Sequence, residues 1–274
     1  SIPQSAPIGG GVKIPLPDLF TGAFSHSIPI TVPPGRKGMQ PAITLAYDSP
    51  NPNSWVGLGF SLNPGYITRS TKLGPPTYND ITDTFYFVTD AGTTELVYLT
   101  ADLTTGNKIY QAKIESSFTK FFKQTNDSWI AVSTDINSKE ISSLGTFSWY
   151  LTKVRDTNGN YIALSYIKDQ GKAYLSRIDY TGNDSTVTSP TNSVIFNLES
   201  RNDVASSYMS TSKIATAKRL KEIEATVNGA LVWLYELGYT YSLDTNRSLL
   251  TSFTQFTSDN KNLPTQTLTY QRAK

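Results

Sequence analysis

A period-two alternation of apolar and polar residues is the feature that most restricts how this 274-residue chain can fold. Successive side chains of a strand point to opposite faces, so the alternation buries one face and wets the other. "FSHSIPITV" (24–32) and "PAITLAYDS" (41–49) alternate in this way, and the second places Ile43, Leu45 and Tyr47 on one face. The pattern returns in "DTFYFVT", "TELVYLT", "KIYQAKI", "SWIAVST", "FSWYLTKV", "YIALSYI" and "SVIFNLE", with turn residues between them. Short strands so spaced, with no helical stripe, predict an all-β chain of antiparallel, hairpin-rich sheets, sandwich or shell-like, with little helix. The only helix candidate is 203–220, "DVASSYMSTSKIATAKRL". Its Ser/Thr content and lack of a 3.6 period make a long loop with a short turn an equal reading. Residues 1–19 are rich in Pro and Gly, which predicts an extended segment along a surface or edge, ahead of a β domain over 20–274.

The sharpest local expectation is a hairpin in "RLKEIEATVNGALVWLYELGYTY" (219–241). Asn228-Gly229 favours a type I′ turn, because both central positions need positive φ. An unbroken register would then set Val227 against Ala230, Ala225 against Val232 and Ile223 against Leu234. Glu224 would face Trp233 and Glu222 would face Tyr235, leaving an aromatic and acidic face half wet. Trp233, Tyr235 and Tyr239 are therefore candidate glycan-binding aromatics, although core or cross-strand packing is the commoner reason for such a row.

Little in the composition points to chemistry. The 24 Lys and Arg nearly balance the 22 Asp and Glu. The densest basic cluster, Lys218, Arg219 and Lys221, is followed at once by Glu222 and Glu224, which reads as a solvated strand face and not a nucleic-acid patch. Cysteine is absent and His26 is the single histidine, which removes disulfides, thiolate nucleophiles and His- or Cys-built metal sites. His26 sits between Ser25 and Ser27 with no G-x-S-x-G elbow in the chain, so no catalytic residue is assigned. "GGG" (9–11) lacks the Lys and Ser/Thr of a phosphate loop, and no cofactor is expected. "DTNGN" (156–160) spaces oxygen ligands as a short calcium loop does, yet flanking strands make a hairpin turn sufficient. No apolar run approaches the roughly 18 residues of a membrane span. No signal peptide opens the chain, which starts at "SIPQSAP" as a trimmed boundary would. The wealth of Ser, Thr, Asn and Tyr suits an exported bacterial β protein, secreted or at the cell surface.

The order of motifs adds a family resemblance. Thr21-Gly22-Ala23 leads into an alternating strand, then Pro33, Pro34, Gly35, Arg36 and Gly38, then Pro41, then a strand ending in Tyr47 and Ser49. Gly57-Leu58-Gly59-Phe60 follows, and after it Ile67, Arg69, Thr71, Gly74, Pro76, Tyr78 and Asp80. Further on come "WYLTKVRDTNGNYIALSY", the Arg-x-Asp of "ESRNDVASSY", "KRLKEI" and a closing "LPTQTLTYQ". This succession resembles the N-terminal domain shared by the secreted virulence protein SpvB and the B components of Tc insecticidal toxin complexes. It departs from that pattern at Asn51–Ser54, where Gly-Asn-Gly is usual, and at Phe60, where Trp is usual.

The resemblance implies the N-terminal part of a larger exported toxin and a non-catalytic structural module. Such a module contributes, with YD-repeat segments, to a β-sheet shell around a toxic polypeptide, and its partners are other domains or subunits of that assembly. Pro33, Pro34, Gly35, Arg36, Gly38, Gly57, Gly59, Arg69, Gly74, Tyr78 and Asp80 would be scaffold residues, with Arg36 buried or half-buried and paired with an acid or with carbonyls. A carbohydrate-binding module is the alternative, motivated by the Tyr- and Trp-rich strands. A β-fold polysaccharide-degrading enzyme is a second.

Overall fold

The computed structural model describes residues 24–90, 92–113 and 120–270. The expected extended segment 1–19 and the Thr21-Gly22-Ala23 motif lie outside them. The chain runs through β1 (Ser25–Ile30), β2 (Ile43–Asp48), β3 (Asn53–Ser54), β4 (Gly57–Leu58), β5 (Phe60–Ser61), β6 (Tyr66–Arg69) and β7 (Phe85–Thr89). Then come β8 (Gly92–Ala101), β9 (Lys108–Ala112), β10 (Lys120–Lys123), β11 (Trp129–Ala131), β12 (Thr134–Ile141) and β13 (Thr146–Arg155). The last seven, generally longer, are β14 (Asn160–Asp169), β15 (Lys172–Asn183), β16 (Asn192–Ser207), β17 (Ile214–Val227), β18 (Ala230–Tyr241), β19 (Ser248–Thr257) and the short β20 (Gln266–Thr267). No helix occurs among the described residues, and every pairing is antiparallel, as the alternation predicts.

Strands β6 to β13 pair in succession, and β12 also pairs with β13 while β13 pairs with β6, which closes an eight-stranded barrel. An eight-stranded barrel is just wide enough to be filled by side chains. Here the filling is aromatic. Phe85 meets Trp129, Tyr110 and Trp149 edge-on at centroid distances of 5.1, 5.5 and 5.8 Å, with Ile67, Leu96, Phe121 and Ile136 around them.

Strand β13 joins the barrel to the rest of the molecule. Its Ser148–Tyr150 stretch pairs with β6, and beyond it Lys153–Arg155 pairs with β14 along the same edge. The sheet continues from β14 through β20 outside the barrel. One face of that open sheet is covered by a three-stranded sheet ordered β1-β2-β5. Between them lies a second core in which Ile28, Leu45, Val56 and Phe60 pack with Tyr180, Leu220, Ile223, Tyr235 and Phe253.

Two expectations are corrected. Residues 203–220 form no helix: β16 runs to Ser207, a turn occupies 208–213, and β17 begins at Ile214. Alternating side chains in two neighbouring strands satisfy that stretch better than an amphipathic stripe it does not possess. The Asn228-Gly229 turn forms as expected, with φ of 49° and 79° and Val227 facing Ala230. The register then shifts by one residue at a bulge between Ala225 and Thr226, so Ala225 faces Trp233, Glu224 faces Leu234 and Ile223 faces Tyr235. One extra residue on β18 moves the side chains beyond it to the other face. The row expected on the wet side thus turns into the core. "DTNGN" is the β13–β14 turn: the Asp156 carboxylate accepts the backbone N–H groups of Asn158 and Asn160, at 2.8 and 2.9 Å, and the Asn160 amide.

Candidate functional site

The Ile67…Asp80 motif builds the mouth of the barrel. Alternation on β6 points Ile67 and Arg69 inward together, and the buried Arg69 lies where the aromatic filling ends. Its guanidinium bridges Asp80 and Asp83, each at 2.8 Å, and its Nε donates to the Thr146 carbonyl at 2.9 Å. Its carbon sits 4.9 Å from the Phe85 ring centroid and 5.4 Å from that of Trp149. The other Asp80 oxygen takes Lys108 and Lys123, both at 3.1 Å. Lys123 and Lys139 also pair with Asp127, which accepts the Thr146 hydroxyl. Burial alone would raise the Asp80 carboxyl. The Lys123 charge and hydrogen bonds from Arg69, Lys123 and Lys108 outweigh it and hold the group down to about 2. Tyr78, at φ 61°, donates its hydroxyl to the Ser210 carbonyl and so pins the β16–β17 turn against this end. Gly74 sits nearby at φ 114°.

A second buried network ties the opening loop to the open sheet. Arg201 and Asp203, two apart on β16, share a face and are both buried. Arg201 donates to both Asp203 oxygens at 2.9 and 2.7 Å, to the Asn53 side-chain oxygen at 2.7 Å and to the Ser54 carbonyl. Asp203 also accepts the Asn53 amide at 2.9 Å and the Ser248 N–H and hydroxyl at 2.6 and 2.7 Å. Burial opposes ionisation of Asp203, but these donors, Arg201 foremost, hold its carboxyl far below the usual range. The loop that departs from the family pattern thus supplies partners to the Arg-x-Asp pair. Beside it, the Gly59 position (φ 79°) would put a Cβ 2.4 Å from the Tyr47 ring, and at Gly57 (φ 109°) one would lie 3.0 Å from the Ser248 carbonyl oxygen.

The Pro-Pro-Gly-Arg stretch is held by its carbonyls. Tyr235 donates to Thr31 at 2.7 Å, Tyr180 to Pro33 at 2.8 Å and Asn192 to Pro34 at 3.2 Å. A Cβ at Gly35 would fall 1.9 Å from the Met39 carbonyl oxygen, so only glycine fits. The expectation for Arg36 is corrected. It is exposed, and among the described residues it has no side-chain hydrogen-bond or ion-pair partner. Lys37 and Gly38, at φ 50° and 81°, form a tight turn that closes an Arg36–Met39 bridge and sends the arginine outward.

A cleft of about 1210 Å³ lies where the small sheet meets the barrel and the open sheet, with His26, Tyr47, Asp48, Tyr66, Asp90 and Lys172 on its walls. Lys172 is engaged by Glu140 at 3.0 Å, and Asp90 accepts the Asn63 N–H at 3.1 Å, with burial raising its carboxyl. His26 has no side-chain hydrogen bond to another described residue. Tyr235 is 1% exposed, while Trp233 and Tyr239 pack against the sandwich core, Tyr239 under the Arg219 guanidinium at 4.5 Å.

Sequence reading missed Asp83, Lys108, Lys123, Asp127, Asn53 and Ser248. Their signal was present in part, because Lys123 in "KFFK" shares the inward face with Phe121. A lysine at an inward strand position implies a buried carboxylate opposite it.

Comparison with known proteins agrees with the motif order. Residues 19–119 match the family described as SpvB, Salmonella virulence plasmid 65kDa B protein, which bears out the resemblance. The TcdB2-TccC3 crystal structure matches with a TM-score of 0.76 and 20% identity, over 99% of this chain and 18% of that one. The Photorhabdus luminescens Tc holotoxin pore matches at 0.73 and 21%, over 99% of this chain and 17% of that one. The N-terminal domain of effector protein SpvB from Salmonella typhimurium strain LT2 matches at 0.65 and 16%, over 84% of this chain and 98% of that one. The chain therefore spans less than a fifth of the Tc chains and nearly all of the SpvB domain, and at these identities the likeness is one of fold. No curated protein sequence matches the chain.

Proposed function

We propose, from a chain whose residues 19–119 match the SpvB family, that this protein is a non-catalytic structural module of an exported Tc- or SpvB-like bacterial toxin. It forms part of a β-sheet wall that encloses or supports a toxic polypeptide and docks neighbouring domains or subunits. One observation carries this reading: buried arginine, lysine and aspartate side chains, with the partly buried carboxylates they hold, join structural elements to one another. Arg69, Asp80, Asp83, Lys123 and Asp127 lock loops onto the barrel end, while Arg201 and Asp203 lock the 51–58 loop onto the open sheet. The motif residues Pro33, Pro34, Gly35, Gly38, Gly57, Gly59, Arg69, Gly74, Tyr78 and Asp80 act as scaffold. Among the described residues no helix is long and apolar enough to cross a membrane.

Protease protection tests the reading. The polypeptide of the complete reading frame, produced with its natural partner subunits, should shield an internal segment from protease that is digested once the particle is denatured. Digestion of every segment at the same rate before and after denaturation would contradict enclosure.

A further inference from the structure

The barrel and the sandwich keep separate apolar cores, and among the described residues Leu151 of β13 is the only one that packs against both. The halves are hydrogen-bonded into one sheet at a corner, where residues 153–155 of β13 pair with 161–163 of β14. Beyond that corner β14 runs on to Asp169 without pairing to β13, so the two strands diverge. Next to the corner the contact across this gap is aromatic. The Tyr150 ring lies 5.2 Å from that of Tyr166, whose hydroxyl donates to the Leu151 carbonyl at 2.8 Å. Farther along it is polar. Glu140 of β12, 3% exposed, accepts Lys172 at 3.0 Å and the Ala173 N–H at 2.9 Å, both at the start of β15. Lys172 borders both the 1210 Å³ cleft and a second cavity of about 230 Å³ that Glu140 and Phe147 line.

We infer that the barrel is hinged to the sandwich at this corner, and that the Glu140–Lys172 pair is the latch that holds the two halves together beside the cleft. Two bodies within one chain move against each other unless a large apolar interface joins them. Here the apolar contact stays near the corner, and cavities take up space beyond it. A hinge needs only a few residues at the ends of elements, and the 156–159 turn between β13 and β14 supplies them. Among the described residues, the only other ion pairs between the halves join Lys153 and Arg155 to Asp184, at the corner itself. Glu140 sits on a barrel strand, while its Lys172 and Ala173 partners belong to the other half. Neutralising Glu140 leaves Lys172 without its counter-ion at the boundary, and opening returns that charge to water. Opening about the corner changes the width of the cleft, whose walls belong to both halves.

Distances across the cleft test the hinge in this chain, which has no cysteine of its own. Spin labels on Ser27→Cys and Thr93→Cys stand on opposite halves, both exposed at the cleft. Double electron–electron resonance should give one narrow distance, and Glu140→Gln and Lys172→Met should each add a second population. The pair Ser27→Cys with Ser165→Cys, both within the sandwich half, should keep its distance in all three backgrounds. An unchanged cross-cleft distribution in both variants overturns the latch, and so does a change shared by the control pair. Native-state hydrogen exchange needs no substitution. The Ala173 amide, bonded to Glu140, should exchange about tenfold faster than that of Ile178 on the same strand, because opening of the latch frees it without unfolding the sandwich. Equal protection of the two amides overturns the hinge, since the halves then part only by unfolding together.

Discussion

Replacing Arg201 by methionine should be among the most damaging single changes in the sandwich half of the molecule. Methionine keeps much of the volume of the arginine stem but removes every donor. Asp203, its side chain 2% exposed, then retains only Asn53 and Ser248 as partners. The Asn53 side-chain oxygen and the Ser54 carbonyl lose their donor at the same time. Breaking a buried pair from one side costs about 3–5 kcal/mol, because the remaining charge stays buried. For a domain of this size that corresponds to a fall of roughly 6–20 °C in melting temperature. The cost should depend on pH in a defined direction. In the parent protein the Asp203 carboxyl is held down, so its contribution is present above the ordinary carboxylate range and is lost as pH falls toward the folded value. In the variant burial raises the same carboxyl, and protonation relieves it. The difference between the two proteins should therefore shrink from pH 7 to pH 4. Urea unfolding at both pH values, followed by tryptophan fluorescence, measures this. A loss below about 1 kcal/mol at pH 7, or one that grows as pH falls, would refute the view that this pair clamps the loop to the sheet.

Asp80→Asn should destabilise the barrel half at neutral pH, and the parent should lose on the order of 1–2 kcal/mol of stability between about pH 4 and pH 2 as Asp80, held to about 2, is protonated; acid titration followed by circular dichroism checks both. Gly59→Ala should cost about 1–3 kcal/mol in urea unfolding, since it forces a side chain to positive φ and into the Tyr47 ring. Arg36→Ala should leave thermal stability within about 0.5 kcal/mol of the parent, because the side chain is exposed. Tyr235→Phe should cost about 1 kcal/mol by removing the hydroxyl that holds the Thr31 carbonyl, measured against Tyr180→Phe, which loses the equivalent bond to Pro33.

The alternation in the sequence was enough for the architecture at the level of strands. "PAITLAYDS" predicts that Ile43 and Leu45 share a face, and both are buried against the open sheet. The Asn228-Gly229 dipeptide located its turn to the residue, because positive φ at two successive positions is a local demand. What followed that turn was not legible. A bulge has no composition of its own, and a slip of one residue sends Tyr235 into the core in place of the surface. Barrel closure was equally invisible, since the β12–β13 pairing depends on how far the sheet curls and not on either strand alone. The Arg69–Asp80 pair had a signal in motif spacing, and Arg201–Asp203 one in the i, i+2 placement of opposite charges on one strand face. Arg36 misled because an arginine inside a Pro-Gly turn reads as an anchor. The anchors of that turn are the tyrosines and the asparagine that reach its carbonyls from strands far along the chain.

A cryo-electron-microscopy reconstruction of the polypeptide from the complete reading frame tests the structural-module reading most directly. It should show residues 24–270 built into the wall of a closed cavity, with no open route from bulk solvent to the interior. The same fold tethered alone by a linker, with both faces of its open sheet in solvent, would contradict the account.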